Sequence, residues 1–255
     1  MLQVKKINKV YQGKVPYRAL TDIDLDVEKG EFVSIMGPSG SGKTTLLNLI
    51  ATIDEPTSGD IFIDGENPHL LSRNKLAKFR RQQLGFVFQD FNLLNTLTVE
   101  ENIVLPLTLD GKRVKDMKEK ADMIAKKLGI SHIMEKRTYE ISGGQAQRVA
   151  IARATIHHPK LLLADEPTGN LDSKSSRDVM DMLTHINKQE HTTMLLVTHD
   201  AQAASYSDRV IFIRDGRLYS EIHRGDSQKA FFQKIIDTLS LLGGNDNDFS
   251  SVRPS

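Results

Sequence analysis

Residues 37–44 read GPSGSGKT, a full match to the spacing G-x-x-x-x-G-K-[ST]. Each position has a chemical reason. The glycines let backbone amides turn inward around phosphate oxygens, and a helix that starts where the loop ends adds its positive N-terminal end. In that arrangement Lys43 reaches the β- and γ-phosphates and the Thr44 hydroxyl ligates Mg²⁺. The candidate nucleotide contacts are Gly37, Ser39, Gly40, Ser41, Gly42, Lys43, Thr44 and Thr45. A chance glycine-serine loop would not need a buried-strand pattern before it and a helical one after it, and both are present.

A second constellation closes the apolar run Leu161-Leu162-Leu163-Ala164, which is followed by Asp165 and Glu166. Carboxylates at the end of a buried strand need a partner, because an unpaired charge is costly to desolvate. A metal–triphosphate complex is such a partner. Successive strand residues point to opposite sides, so the two acids can divide the work. Asp165 suits Mg²⁺ through water, and Glu166 suits a general base that polarises an attacking water. Alone, an Asp-Glu pair is equally an acidic turn in solvent; the phosphate loop upstream tips the reading. His199 directly follows a third apolar run, Thr193–Thr198. In a parallel α/β sheet the C-terminal strand ends converge on the ligand crevice, which places His199 within reach of a γ-phosphate. The other seven of the eight histidines carry no motif.

The elements that must position these groups are legible in outline. Leu2–Val10 and Leu20–Val27 alternate, and Phe32–Met36 is a short apolar run of buried-strand type. Thr44–Thr52 reads as a helix and Asp60–Gly65 as a strand ending in a turn. A more helical, more charged middle occupies residues 69–157. Within it Lys112–Leu128 spaces Val114, Met117, Ala121, Ile124, Ala125 and Leu128 as the apolar face of a helix. Strand patterns resume at Lys160–Ala164, Thr193–Thr198 and Arg209–Ile213. Strands at both ends and helices between them predict an α/β core with a helical insertion. Asp226–Leu242 places Phe231, Ile235, Leu239 and Leu242 on one helical face, with Asp226 or Ser227 as cap. The tail 243–255, GGNDNDFSSVRPS, has a disordered composition.

Composition narrows the class. The chain has 255 residues, 34 basic and 33 acidic side chains and no cysteine. Disulfide scaffolds, thiolate zinc sites and thiol nucleophiles are excluded. A net charge of +1 gives no global field for nucleic acid or an anionic membrane. The longest nearly apolar stretch, Leu46–Ile53, is interrupted by Asn48 and is far shorter than the ~20 residues of a membrane span. The start, MLQVKKINKV, lacks the apolar core of a secretory signal. A soluble, cytosolic chain is expected, with any membrane role borrowed from a partner.

Residues 141–145, ISGGQ, complete an ordered set: GPSGSGKT, Gln89, ISGGQ, LLLADE (161–166), NLD (170–172) and His199. Over about residues 1–225 this resembles the ATPases of ATP-binding-cassette (ABC) transporters. The resemblance implies a P-loop, RecA-like α/β core, an N-terminal antiparallel β subdomain and a helical subdomain inserted at about 90–157. It implies that Tyr11 stacks on adenine, and that Gln89 senses Mg²⁺ and the attacking water beside Thr44 and Asp165. It assigns Ser142, Gly143, Gly144 and Gln145 to the nucleotide of an opposing subunit, Asp172 to the coupling of two sites, and His199 to a γ-phosphate switch. A serine hydroxyl, glycine amides and a helix N-terminus suit an anion. Position 141 is Ile where Leu is usual, a small apolar change. One phosphate loop and one signature per chain imply a head-to-tail homodimer with ATP and Mg²⁺ at its interface.

Within the family, VFQDFNLLNTLTVEENIVLPL (87–107) and ADEPTGNLDS (164–173) resemble the ATPases of macrolide exporters, lipoprotein-releasing complexes and bacitracin-type peptide-resistance transporters. The expected partners are a second copy and an integral membrane permease, through it a sensor kinase, and no nucleic acid. The expected place is the cytoplasmic face of the membrane, held there by the permease. The extra helix 226–242 favours the peptide-resistance group and offers a face for a sister subunit or a sensor; lipoprotein-release or cell-division ATPases are the alternative. The basic stretch Ser72–Gln83, with Arg73, Lys75, Lys78, Arg80 and Arg81, reads as a solvated helix face before it reads as a membrane or partner contact.

Overall fold

A computed structural model of the chain describes residues 1–242, so the tail 243–255 lies outside the described residues. Phe32–Met36 (β3) is buried at all five positions. Thr193–Val197 (β7) lies parallel on one side of it and Arg209–Arg214 (β8) on the other. Leu161–Asp165 (β6) pairs with β7, and Leu84–Val87 (β5) with β6, both parallel. Arg217–His223 (β9) closes the far edge antiparallel to β8, giving the order β5-β6-β7-β3-β8-β9. Near-continuous apolar runs are what such a sheet demands, because its central strands are covered on both faces.

The alternating segments form the other sheet. Leu2–Tyr11 (β1) pairs antiparallel with Tyr17–Val27 (β2) and with Ser58–Ile63 (β4), in the order β2-β1-β4. Leu2, Val4, Ile7, Ile23, Leu25 and Val27 face inward while the residues between them meet solvent, as expected of an antiparallel sheet covered on one face.

The helices are Lys43–Ile50 (α1), Arg73–Gln83 (α2), Val99–Leu109 (α3), Val114–Lys127 (α4), Gly143–Thr155 (α5), Ser173–Glu190 (α6), Ala201–Ala204 (α7) and Gln228–Leu242 (α8). Alternate residues of the central strands feed different cores. Val33, Ile35, Leu163 and Val197 pack with α1 and the antiparallel sheet. Phe32, Leu162, Ala164 and Leu196 pack with α5, α6 and the helices of the middle segment. A third core, under α8, holds Met36, Ala204, Phe212, Phe231 and Ile235.

The structure refines several expectations. The middle segment 69–157 is more helical, as expected, but also holds the strand β5 at Leu84–Val87. That strand is four residues long and follows a charged helix, so its identity comes from pairing with β6 rather than from local pattern. β9 was not anticipated either, because its mixed side chains are those of a partly exposed edge strand. Val114 begins α4 in solvent, 76% exposed, and the packed stripe starts at Met117. Of the two expected caps of α8, Ser227 takes the role, its hydroxyl accepting from the Ala230 N–H at 3.3 Å. The apolar face of α8 is used by its own chain, against α7 and β8. α2 exposes Arg73, Lys75 and Lys78, while Arg80 donates to the Thr52 hydroxyl at 2.7 Å. No helix among the described residues is long and apolar enough to cross a membrane.

Candidate functional site

The site begins where β3 ends. A Cβ on Gly37 would lie 2.0 Å from the Ile213 carbonyl oxygen and 2.8 Å from Ser41 Oγ, so only glycine fits against β8 there. Gly42, the residue before α1, has φ +103, and a Cβ on it would meet the Ala19 carbonyl oxygen at 2.7 Å. The Gly216 N–H donates to the Ser41 carbonyl at 3.1 Å, tying the loop to the β8–β9 turn. Ser41 Oγ is buried without a hydrogen-bond partner. Lys43 Nζ donates to the carbonyls of Gly37 (2.9 Å) and Pro38 (2.8 Å). Burial lowers the Lys43 pKa, opposed by the charges of Glu166 and Asp165.

Asp165 and Glu166 stand at the end of β6. The Thr44 hydroxyl donates to Asp165 Oδ1 at 3.5 Å, the limit of a hydrogen bond. Burial and the adjacent Glu166 charge raise the Asp165 pKa, while Thr44 and Lys43 pull it back. Glu166 has φ +47, an uncommon conformation for a side-chain-bearing residue. Two backbone bonds hold it: its N–H donates to the Val197 carbonyl (2.9 Å), and the Gly169 N–H donates to its carbonyl (3.0 Å). Its carboxylate is 15% exposed and lies 2.9 Å from His199 Nδ1. The His199 N–H donates to the other carboxylate oxygen at 3.3 Å. The His199 ring itself is 72% exposed. Because β7 lies between β6 and β3, three neighbouring strand ends deliver the acids, the histidine and the phosphate loop to one edge. A cavity of about 680 Å³ flanks Glu166 and His199, lined also by Thr168, Leu171, Arg177 and Tyr206.

Gln89 follows β5 and lies against the segment after Glu166. Its Nε2 is 3.1 Å from where a Cβ on Gly169 would sit, and its carbonyl accepts from Asn170 Nδ2 at 3.2 Å. Ser142 caps α5, its hydroxyl accepting from the Gln145 N–H (3.3 Å) while its own N–H donates to Gln145 Oε1 (3.0 Å). Gly143 and Gly144 form the first turn, where a Cβ on Gly144 would come within 3.0 Å of Ser175 Oγ. Asp172 caps α6, accepting from the N–H groups of Lys174 (2.9 Å) and Ser175 (3.0 Å). The Ser175 hydroxyl donates to it at 2.6 Å and holds its carboxyl below the usual range.

The structure therefore gathers the phosphate loop, Asp165, Glu166 and His199, with Gln89 alongside. Ser142, Gly144 and Gln145 line a different concavity, of about 250 Å³, with His132 and Arg148. Tyr11 ends β1 and is 39% exposed. Its hydroxyl donates to Asp54 Oδ2 at 2.9 Å, and Lys9 Nζ lies 4.7 Å from its ring centroid, covering one face with a cation.

Three partners escaped the sequence reading. Tyr17, opposite Tyr11 in the hairpin register, donates its hydroxyl to the Gly40 carbonyl at 3.2 Å. Asp54 joins Lys9 and Tyr11 from a loop more than forty positions away. Gln147, fully buried on α5, donates Nε2 to the Pro167 carbonyl at 2.7 Å. Only Tyr17 carried a signal, its place across the hairpin from Tyr11; the other two depend on contacts that no local pattern encodes.

Residues 20–169 match the family described as ABC transporter. The chain is 63% identical to the ABC transporter ATP-binding protein YxdL of Bacillus subtilis (strain 168), over 99% of this chain and 98% of that one. It is 50% identical to the bacitracin export ATP-binding protein BceA of Halalkalibacterium halodurans, over 97% and 99%. Among solved structures, a dimeric post-hydrolysis state of the ATP-binding cassette MJ0796 of Methanocaldococcus jannaschii, bound to ADP and Pi, matches with a TM-score of 0.82 and 40% identity. That match covers 88% of this chain and all of the archaeal one, a shortfall similar in size to the segment beyond residue 225.

Proposed function

The chain belongs to the ABC transporter family as an ATP-binding ATPase subunit, and on that premise we propose that it powers a separate membrane permease handling an antimicrobial peptide of the bacitracin type. The observation that carries the peptide assignment is the match to the bacitracin export protein along 97% of this chain, a length that reaches into α8.

Lys43 and the loop amides hold the β- and γ-phosphates, and Ser39, Ser41 and Thr45 line the same cradle. The partnerless Ser41 hydroxyl and the two glycines with no room for a Cβ fit a loop built to wrap phosphate. The Thr44 hydroxyl, the Gln89 amide oxygen and the Asp165 carboxylate are hard oxygen donors of the kind Mg²⁺ takes. When bound, the ion neutralises charge that develops on the phosphates. Glu166 orients the attacking water and accepts its proton. His199, already 2.9 Å from Glu166, contacts the γ-phosphate on the same side. Tyr11 offers adenine the ring face that Lys9 leaves open.

Ser142, Gly144 and Gln145 line a concavity that includes no phosphate-loop residue, and with Gly143 they serve the nucleotide of a second copy in a head-to-tail dimer. Asp172 and Ser175 lie beside them, where two sites would be coupled. Residues 1–225 form the cassette, with the helical insertion at about 90–157 meeting the permease at the cytoplasmic face. A sensor kinase is reached through that permease.

The test is a deletion strain challenged with bacitracin-type peptides and complemented with the wild-type or the Glu166→Gln chain. Protection should return only with the wild type. Unchanged peptide sensitivity on deletion, with impaired lipoprotein release or cell division instead, would overturn the peptide assignment.

A further inference from the structure

Nothing in the reaction so far uses α8, yet it is built into the floor of the site. Phe231 and Ile235 are 1% and 0% exposed and share one cluster with Met36, Ala201, Ala204 and Phe212. Met36 is the residue before Gly37, and Ala201 and Ala204 are the two ends of α7, which starts two residues after His199. Polar bonds reach the same segment. Gln228 Nε2 donates to Ser205 Oγ at 3.1 Å, and that hydroxyl donates to the Gln202 carbonyl at 2.7 Å. Arg224 Nη1 donates to the Tyr206 carbonyl at 3.2 Å. At its other end α7 is capped by Asp200, whose Oδ1 accepts from the Gln202 N–H at 2.8 Å.

A helix of one turn has almost no stability of its own, so its position is set by what it packs on. For α7 much of that support is α8. His199, with Glu166 as its side-chain partner and most of its ring in solvent, is placed mainly by the backbone that carries it. The phosphate loop touches this core only through Met36 at its start; beyond Met36 its glycines abut Ile213 and Ala19 and its Ser41 carbonyl accepts from the Gly216 N–H, none of which belongs to α8.

We propose that α8 is a positioning element for His199: Phe231, Ile235 and Gln228 hold α7 where the His199 ring meets Glu166 and the γ-phosphate. This rests on the reading of His199 given above. α8 then tunes turnover more than nucleotide binding.

Steady-state ATP hydrolysis by the full chain tests this with Phe231→Ala, Phe231→Leu, Gln228→Ala, His199→Ala and the Phe231→Ala/His199→Ala double variant. Phe231→Ala should lower kcat about tenfold with KM for ATP within about twofold, because small displacements of a reacting group cost rate steeply. Phe231→Leu should recover most of it. The double variant should turn over no more slowly than His199→Ala alone, since both changes act through one ring. Unchanged kcat in Phe231→Ala, losses that multiply in the double variant, or a parallel loss of ATP affinity would overturn the proposal. If Phe231→Ala does not fold, Gln228→Ala removes the Ser205 bond without opening a cavity, and an unchanged kcat there overturns it equally. If His199→Ala itself leaves kcat intact, the reading of His199 fails, and the proposal with it.

Discussion

Glu166 combines a left-handed backbone, a mostly buried carboxylate and a histidine at 2.9 Å, while Asp165 beside it faces the Thr44 hydroxyl. Neighbouring carboxylates thus stand in different environments, which is what separate roles require. Glu166→Gln keeps the shape and removes the base; ATP affinity should persist while kcat falls by a factor of about a hundred or more, measured as phosphate release. Normal turnover in that variant would exclude Glu166 as the base. Asp165 carries a stability consequence. Burial and the Glu166 charge raise its pKa, so the folded chain holds this proton to higher pH than the unfolded chain does. Its stabilising contribution is therefore full below the unfolded pKa and is lost as pH rises through the folded pKa. Asp165→Asn should remove that loss. The nucleotide-free variant should melt about 2–4 °C above wild type near neutral pH, with the gap closing in acid, and should bind Mg-ATP more weakly. A melting temperature lowered at neutral pH would contradict this account.

At the scale of elements, two helices begin with the same device and differ in what else the device does. Thr98 and Glu101 form a capping box at α3, with bonds of 2.7 and 3.1 Å. Ser142 and Gln145 form another at α5, with bonds of 3.0 and 3.3 Å. Replacing either cap by alanine should cost about 1 kcal/mol of stability, read by thermal or urea unfolding. On the proposed reading, in which the hydroxyl at the α5 N-terminus serves a second copy's nucleotide, only Ser142→Ala should also depress ATP turnover. Equal activity in the two variants would reduce Ser142 to a cap. Helix patterns of this kind were legible because a helical face repeats along the chain. β5 and β9 were not, since a four-residue segment after a charged helix and a seven-residue segment of mixed side chains become strands only when a partner strand supplies the ladder.

For the whole molecule, one chain carries one phosphate loop and one SGGQ segment, the latter lining a concavity that includes no phosphate-loop residue, and its net charge of +1 lets copies approach without strong self-repulsion. Specific activity of the isolated chain should therefore rise with protein concentration in the dilute range, and Glu166→Gln with ATP should shift toward a dimer in size-exclusion or light scattering. A concentration-independent rate from a monomer would remove the shared site. The two large cores lie on opposite faces of one sheet, so alternate residues of the same strand anchor the antiparallel subdomain and the helical segment.

The residues alone marked out the strand–glycine loop–helix unit at 37–44, the acids at the end of LLLADE, the cap of α8 to within a residue, and the apolar faces of α4, Val114 apart, and α8. Those features are local: phosphate geometry, capping and helical repeat each demand residue types at short, set spacings. Tertiary structure decided the rest. It put β7 between β6 and β3, so that His199 meets Glu166. It laid Lys9 over the Tyr11 ring, tied Tyr17 to Gly40 and Gln147 to Pro167, and turned the inner face of α8 onto the helix after His199. These contacts join residues far apart in the chain, and they form because buried apolar faces and unpaired strand edges must find partners wherever the fold brings them.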